Sequence, residues 1–128
     1  MASTRRFTAK LADALDQTKY LGVRAGSGDH RFTAIWVVVV EGRVFVRSWY
    51  EKPRSWYRTF LEDSGGAIKL GDELIPVRAV RVRSERLKDA VDRAYLAKYT
   101  TKANLKYARG FASARHRATT TELVPVPH

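Results

Sequence analysis

Phe32-Thr33-Ala34-Ile35-Trp36-Val37-Val38-Val39-Val40-Glu41-Gly42-Arg43-Val44-Phe45-Val46-Arg47-Ser48-Trp49 is the stretch on which the fold class turns. Two runs rich in Val, Ile and aromatic residues flank a link of two residues that contains Gly42. Branched and aromatic side chains suit a pleated, half-buried surface, and glycine supplies the positive φ that a tight hairpin turn requires. The spacing predicts an antiparallel hairpin with strands over 32–40 and 43–49. The apolar run from Ala34 to Val40 falls far short of the ~20 residues of a bilayer-spanning helix, so it reads as a buried strand.

Working outward from the hairpin, Thr8 is placed to cap a helix over 9–17, with Leu11 and Leu15 one turn apart and Asp13 and Asp16 facing outward. Gly26-Ser27-Gly28-Asp29 reads as a turn. On the other side, Pro53 suits the first position of a helix over 53–63, whose apolar stripe is Trp56, Tyr57, Phe60 and Leu61 and whose end is Ser64-Gly65-Gly66. Ala67–Leu70 and Leu74–Arg83 form a second hairpin through Gly71-Asp72-Glu73. In its second strand Ile75, Val77 and Ala79 share one face while Val80 and Val82 take the other, a slip that predicts a β-bulge. Ser84 caps a further helix carrying Leu87, Val91, Ala94 and Tyr95, a short helical turn is expected within 101–114, and 119–126 closes the sheet. Hairpins exclude a parallel βαβ order. The expectation is an α+β domain over 1–128, with residues 1–7 a flexible N-terminus, four or five antiparallel strands curled into a barrel, and two to three helices packed around it.

Composition narrows the chemistry. The 128 residues include 24 Lys or Arg and 13 Asp or Glu, a net charge of +11, and 45% are hydrophobic, enough for a core. The excess lies in residues 1–60 and 91–128, while 61–90 are balanced. Such a surface attracts nucleic acid, acidic metabolites or phosphorylated cofactors. With no cysteine, disulfides, thiolate catalysis and Cys-ligated metals are excluded. No HExxH or GxSxG motif is present, and Gly26-Ser27-Gly28 lacks the Gly-Lys-Ser/Thr ending of a P-loop. His30 and His116 read as solvated or structural. No metal is expected, and the absence of an apolar run behind Arg5-Arg6 argues for a cytoplasmic protein with neither a secretory signal nor a membrane anchor.

One constellation stands out: Arg47-Ser48-Trp49-Tyr50-Glu51-Lys52-Pro53-Arg54-Ser55-Trp56-Tyr57-Arg58. It runs from a strand end through a loop into a helix start. Arg47, Lys52, Arg54 and Arg58 are cationic donors, and Ser48 and Ser55 add hydroxyls. Free N–H groups and the dipole at a helix start favour the same phosphate. Trp49, Tyr50, Trp56 and Tyr57 offer flat apolar surface for a ring or a base.

The segments Ile35–Ser48 and Arg54–Arg58, with Asp92–Tyr99 and Ala114–Thr120, resemble a small bacterial family of unknown function over about residues 8–126. That family is in turn similar to the FMN-binding split-barrel proteins, which include pyridoxamine-phosphate oxidase and a deazaflavin-dependent branch. Ser27-Gly28-Asp29-His30-Arg31 resembles that branch's Ser-Gly-x-x-Arg stretch. Pro53-Arg54-Ser55-Trp56-Tyr57-Arg58-Thr59-Phe60 resembles its Pro-x-Trp-Tyr-x-Asn-Leu stretch, with one extra residue after the proline and Thr59-Phe60 in place of Asn-Leu. The resemblance implies a split β-barrel homodimer that binds FMN or a deazaflavin and moves hydride to or from a small organic acceptor. Arg47, Ser48, Lys52, Arg54 and Ser55 are then the phosphate candidates, with Trp56 beside the ring. The alternatives from the residues themselves are a nucleic-acid-binding barrel and a cofactor-less member that holds an acidic ligand.

Overall fold

The computed structural model describes residues 6–26, 31–49 and 55–126. Seven strands form one antiparallel sheet: β1 (Tyr20–Ala25), β2 (Thr33–Trp36), β3 (Val38–Val40), β4 (Arg43–Val46), β5 (Gly65–Leu70), β6 (Glu73–Arg81) and β7 (Thr121–Pro125). Five helices surround it: α1 (Ala9–Gln17), α2 (Trp56–Glu62), α3 (Glu85–Lys98), α4 (Lys102–Gly110) and α5 (Ala114–Arg117). The sheet order β2-β1-β5-β6-β7-β4-β3 puts β2 and β3 at its two ends. They are joined through Val37, so the sheet curls into a nearly closed barrel.

Side chains alternate between two cores. Ile35, Val37, Val39, Val44 and Val46 face the barrel interior, with Leu21, Val23, Ile68, Val77 and Leu123. Trp36, Val38, Val40 and Phe45 face outward against α3 and the end of α4, among Leu87, Val91, Tyr95, Tyr99, Ala108 and Phe111. The predicted strand 32–40 is thus two strands in unbroken phase. Its first half pairs with β1 (Tyr20↔Trp36 to Val23↔Thr33), its second with β4 (Val38↔Phe45 to Val40↔Arg43). The hairpin turn has φ of 55° at Glu41 and 73° at Gly42, the two positive values of a tight hairpin.

Several expectations are corrected. Strands number seven among the described residues, because β1 alternates Leu21, Val23 and Ala25 inward within a segment to which the sequence pattern assigned no element, and because the long strand changes partner at Val37. Helices number five among the described residues. α2 begins at Trp56 with Ser55 as its cap, not at Pro53, which lies outside the described residues. Gly65 and Gly66 do not end a helix but open β5, where a Cβ on Gly66 would stand 2.4 Å from the Arg24 carbonyl oxygen. The bulge in β6 is absent, since its pairings with β5 and β7 keep one register throughout. Val80 remains exposed on the outer face, and Val82, past the strand end, enters the outer core under α3. Phe7, read as part of a flexible N-terminus, is buried in the barrel core.

At Val37, where the strand changes partner, α3 supplies what the ladder does not. The Tyr99 hydroxyl accepts from the Val37 amide at 3.0 Å and lies 2.7 Å from the Lys19 carbonyl and 3.1 Å from the Val37 carbonyl. Lys98 Nζ donates to the Val37 and Leu15 carbonyls at 2.7 and 3.2 Å. Tyr99→Phe leaves these buried groups short of a partner and is expected to cost about 1–3 kcal/mol in urea denaturation; an unchanged midpoint would show that water replaces the hydroxyl. Burial pushes the Lys98 ammonium down to about 8 from 10.5. Between those values the unfolded chain holds the extra proton, so the contribution of Lys98 to stability rises with pH. The gap between wild type and Lys98→Met should shift in favour of wild type from about pH 7 to about pH 9.5, whereas a freely solvated amine would leave it constant.

Candidate functional site

Continuing the β3–β4 register would set Trp36 opposite Arg47 and Ala34 opposite Trp49. Those pairs do not form. The two strands part, and the opening is a cleft of about 670 Å³ lined on one side by Thr33, Ala34, Ile35 and Trp36 and on the other by Arg47, Ser48 and Trp49. Tyr20, the Ser55–Trp56 start of α2, and Asn104, Tyr107 and Phe111 from α4 and its end complete the lining. The aromatic rings of α4 hold both sides: Tyr107 lies 6.5 Å from Trp36 and 5.2 Å from Trp49, and Phe111 lies 5.9 and 5.1 Å from them. Trp36 is stacked on Tyr99 with centroids 3.8 Å apart.

Trp49 is held firmly. His116 stacks on it at 4.4 Å, and the ring nitrogens of His116 contact the Gly110 carbonyl (Nδ1, 2.9 Å), the Ser113 hydroxyl (Nδ1, 2.8 Å) and the Trp49 carbonyl (Nε2, 3.1 Å). His116 is therefore a structural residue behind the wall. A Cβ on Gly110 would stand 2.5 Å from the Trp49 ring, so the indole occupies the space that a larger residue would take.

The phosphate candidates separate into three groups. Arg47 is a buried side chain whose Nε donates to Thr120 Oγ1 (2.8 Å), Nη1 to Asp92 and to the Phe111 carbonyl (2.8 Å), and Nη2 to the Lys88 carbonyl (2.9 Å). With four of its five N–H groups engaged by the protein, Arg47 fixes the cleft wall rather than offering an open fork. Asp92 is shared with Arg117, which also meets Asp89 at 3.0 Å. Ser48 and Ser55 line the cleft, but the Ser55 hydroxyl caps α2 by accepting from the Arg58 amide at 3.3 Å, and the Ser48 amide donates to Thr119 Oγ1 at 2.9 Å. Trp56 also lines the cleft, edge-on to Tyr57 and Phe60. Lys52 and Arg54, with Tyr50 and Pro53, lie outside the described residues, as do Ser27-Gly28-Asp29-His30 of the second resemblance motif. Among the described lining residues Arg47 alone carries a charge. No group of three His, Asp or Glu among the described residues is placed to hold a metal ion.

Asn104, Tyr107, Phe111 and Trp36 were not read as site residues. Tyr107 and Phe111 are four apart, a helical spacing that marks one aromatic face of the segment 101–114, but nothing local says which strand that face meets.

Residues 11–123 match the family described as an uncharacterised protein conserved in bacteria (DUF2255). The chain belongs to that family. No curated protein matches it. Among solved structures, a conserved hypothetical protein, Rv2991, from Mycobacterium tuberculosis is similar at a TM-score of 0.56 and 16% identity, over 99% of this chain and 83% of the other. At that identity the likeness speaks for the fold alone. No helix of the DUF2255 protein among the described residues is long and apolar enough to cross a membrane.

Replacing Arg47 with Met keeps the side chain's length but strands Asp92, Thr120 and two buried carbonyls. Removing one partner of a buried ion pair costs about 3–5 kcal/mol, so Arg47→Met is expected to unfold at much lower urea, with the near-ultraviolet signal of Trp49 lost first. An unaltered midpoint would mean that the guanidinium is not part of the scaffold.

Proposed function

We propose that this DUF2255 protein binds a phosphorylated flavin or deazaflavin and moves hydride between that ring and a small organic acceptor. The supporting observation is the cleft: about 670 Å³, walled by Trp36, Trp49, Trp56 and Tyr107, with Thr33, Ser48, Ser55 and Asn104 as its few polar side chains. Ligand sites of this kind run ~300–1,000 Å³, mostly apolar, with a small number of placed polar groups. The described residues thus fit the flat ring of such a cofactor. When bound, the cofactor supplies the hydride chemistry. The protein's part is to bind, to orient and to keep water out. Trp56 lies beside the ring in this reading, Ser48 and Ser55 edge the site, and Lys52 and Arg54 meet the phosphate. Arg47 acts behind them by holding Ser48 and Trp49 in place.

The same reading takes the protein as a homodimer. Leu74, Val80 and Val126 are exposed apolar residues along the outer side of β6 and the end of β7, a surface suited to cover by a second copy. Sedimentation at micromolar concentration should give twice the 14.5 kDa chain mass; a monomer with and without cofactor would count against a shared site.

Arg54 is the decisive position for the phosphate. Arg54→Ala removes one charge-assisted contact, worth roughly 1.5–3 kcal/mol or ~10–150-fold in FMN affinity by calorimetric titration, with an unchanged urea midpoint. Lys88→Ala removes the same charge from α3, where Lys88 lies 3.5 Å from Glu85, and should leave FMN affinity unchanged. Equal losses in both variants would indicate only a general field. Single-stranded DNA bound tightly with a steep salt dependence, and no flavin bound, would favour the nucleic-acid alternative.

A further inference from the structure

The parted ladder has a polarity that can be read strand by strand. In an extended strand the N–H and C=O of one residue point to one side, and those of the next residue to the other. On β1 the even residues face β5, as the extension Gly26 N–H to the Gly65 carbonyl at 2.7 Å shows, so the odd ones face β2. The Val37 amide and carbonyl meet the Tyr99 hydroxyl that also bonds the Lys19 carbonyl, which places the odd residues of the β2 strand on the β1 side. Ala34 and Trp36 therefore direct their amide and carbonyl groups into the cleft. The opposite wall has the complementary phase. The Ser48 amide bonds Thr119, in register with the β4–β7 ladder, so Arg47 turns its backbone groups to the cleft, while the Trp49 carbonyl is held by His116 behind the wall.

That opposite wall is already occupied in part. His116 Nε2 contacts the Trp49 carbonyl at 3.1 Å, and the Tyr95 hydroxyl, fully buried and without a side-chain hydrogen-bond partner among the described residues, lies by the Arg47 backbone. On the β2 wall the Trp36 ring is stacked on Tyr99, and the residue is half-buried. Ala34 is exposed and carries the smallest side chain of the strand, so its backbone edge is the more open of the two. No described residue bonds its amide or carbonyl on that side.

We infer that the Ala34 backbone edge reads a planar heterocycle carrying a ring carbonyl next to a ring N–H, the cyclic imide edge. An extended residue sets its N–H and C=O side by side on one edge, and a ring C=O with an adjacent N–H answers both at once. Aromatic rings above and below the sheet plane cover the faces of such a ring. The inference rests on the proposed flavin reading and deepens it. The imide edge is common to flavins, deazaflavins and uracil nucleotides, and it explains why a cleft can discriminate a ring without a free charged side chain in its described wall.

Two measurements test it. The first needs no ligand. Proline at Ala34 removes an amide that no ladder uses, whereas proline at Ile35 removes one that pairs with β1. Ala34→Pro should keep the wild-type circular dichroism and urea midpoint within a small margin, and Ile35→Pro should lose both; equal destabilisation would overturn the polarity. The second is calorimetric titration with FMN, 5-deaza-FMN, N3-methyl-FMN and uridine 5′-monophosphate. FMN and 5-deaza-FMN are expected to bind alike, N3-methyl-FMN at least about tenfold more weakly. Ala34→Pro should weaken FMN by a similar factor, while Ala34→Val, which keeps the amide, should not. If N3-methyl-FMN binds as FMN does, the imide inference fails and the flavin reading stands. If uridine 5′-monophosphate binds and FMN does not, the imide edge stands and the flavin reading fails. If neither binds, both are overturned.

Discussion

The Arg47 guanidinium ties β4 to α3, to the end of α4 and to the segment that leads into β7. Its donors reach Thr120 just before β7, the Lys88 carbonyl and Asp92 of α3, and the Phe111 carbonyl at the end of α4. A cation taken out of water is stabilised only when opposite charge and acceptors replace its hydration. That demand fixes where α3 and α4 lie against β4. Asp92 extends the constraint to Arg117 and so to α5. Arginine suits the position because its planar fork addresses several acceptors at fixed angles, which a lysine ammonium cannot do.

The cleft follows from the same constraint. Arg47, drawn to the outer layer, shares its face with Trp36, Trp49 and Phe45, and the rings of Tyr107 and Phe111 fill the space between the two tryptophans. A ladder that carried on past Val38 and Phe45 would need those rings elsewhere. The strands part instead, and the chain meets the resulting backbone needs with side chains: Tyr99 at Val37, Thr119 at Ser48, His116 at Trp49. Buried backbone groups in native proteins are almost always partnered in this way. The net charge of +11 describes the surface of the molecule and says little about this site, since the one charged residue of its described lining is itself neutralised by Asp92.

Much of the fold was legible residue by residue. Thr8 and Ser84 cap α1 and α3 as their sequence positions suggest, accepting from Leu11 and Leu87 amides at 3.2 Å. The Glu41-Gly42 turn, the second hairpin and the closing strand follow from residue type and alternation. β1 was not legible, because six residues with Gly22 and Arg24 among them give too short a pattern to separate from a connection. The slip in β6 was misread for a physical reason: Val80 stays exposed on the outer face and Val82 lies past the strand end, where it enters the core under α3, so the apparent change of phase marks the end of the strand rather than a bulge. Of the candidate residues, Ser48, Ser55 and Trp56 line the cleft, while Arg47, expected to meet a phosphate, is engaged by the protein instead.

Sequence alone determined what depends on neighbours within a few residues: hairpins from branched residues about a glycine, helix starts from hydroxyl caps, and the exclusion of thiol chemistry from composition. Only the tertiary structure decided where the strands part and that Arg47 is engaged within the protein. Those properties depend on partners far along the chain. Arg47 is answered by Lys88, Asp92, Phe111 and Thr120, and Val37 by Lys98 and Tyr99. No local pattern encodes such an encounter, because the same arginine or the same amide, left to solvent, would be equally well satisfied by water.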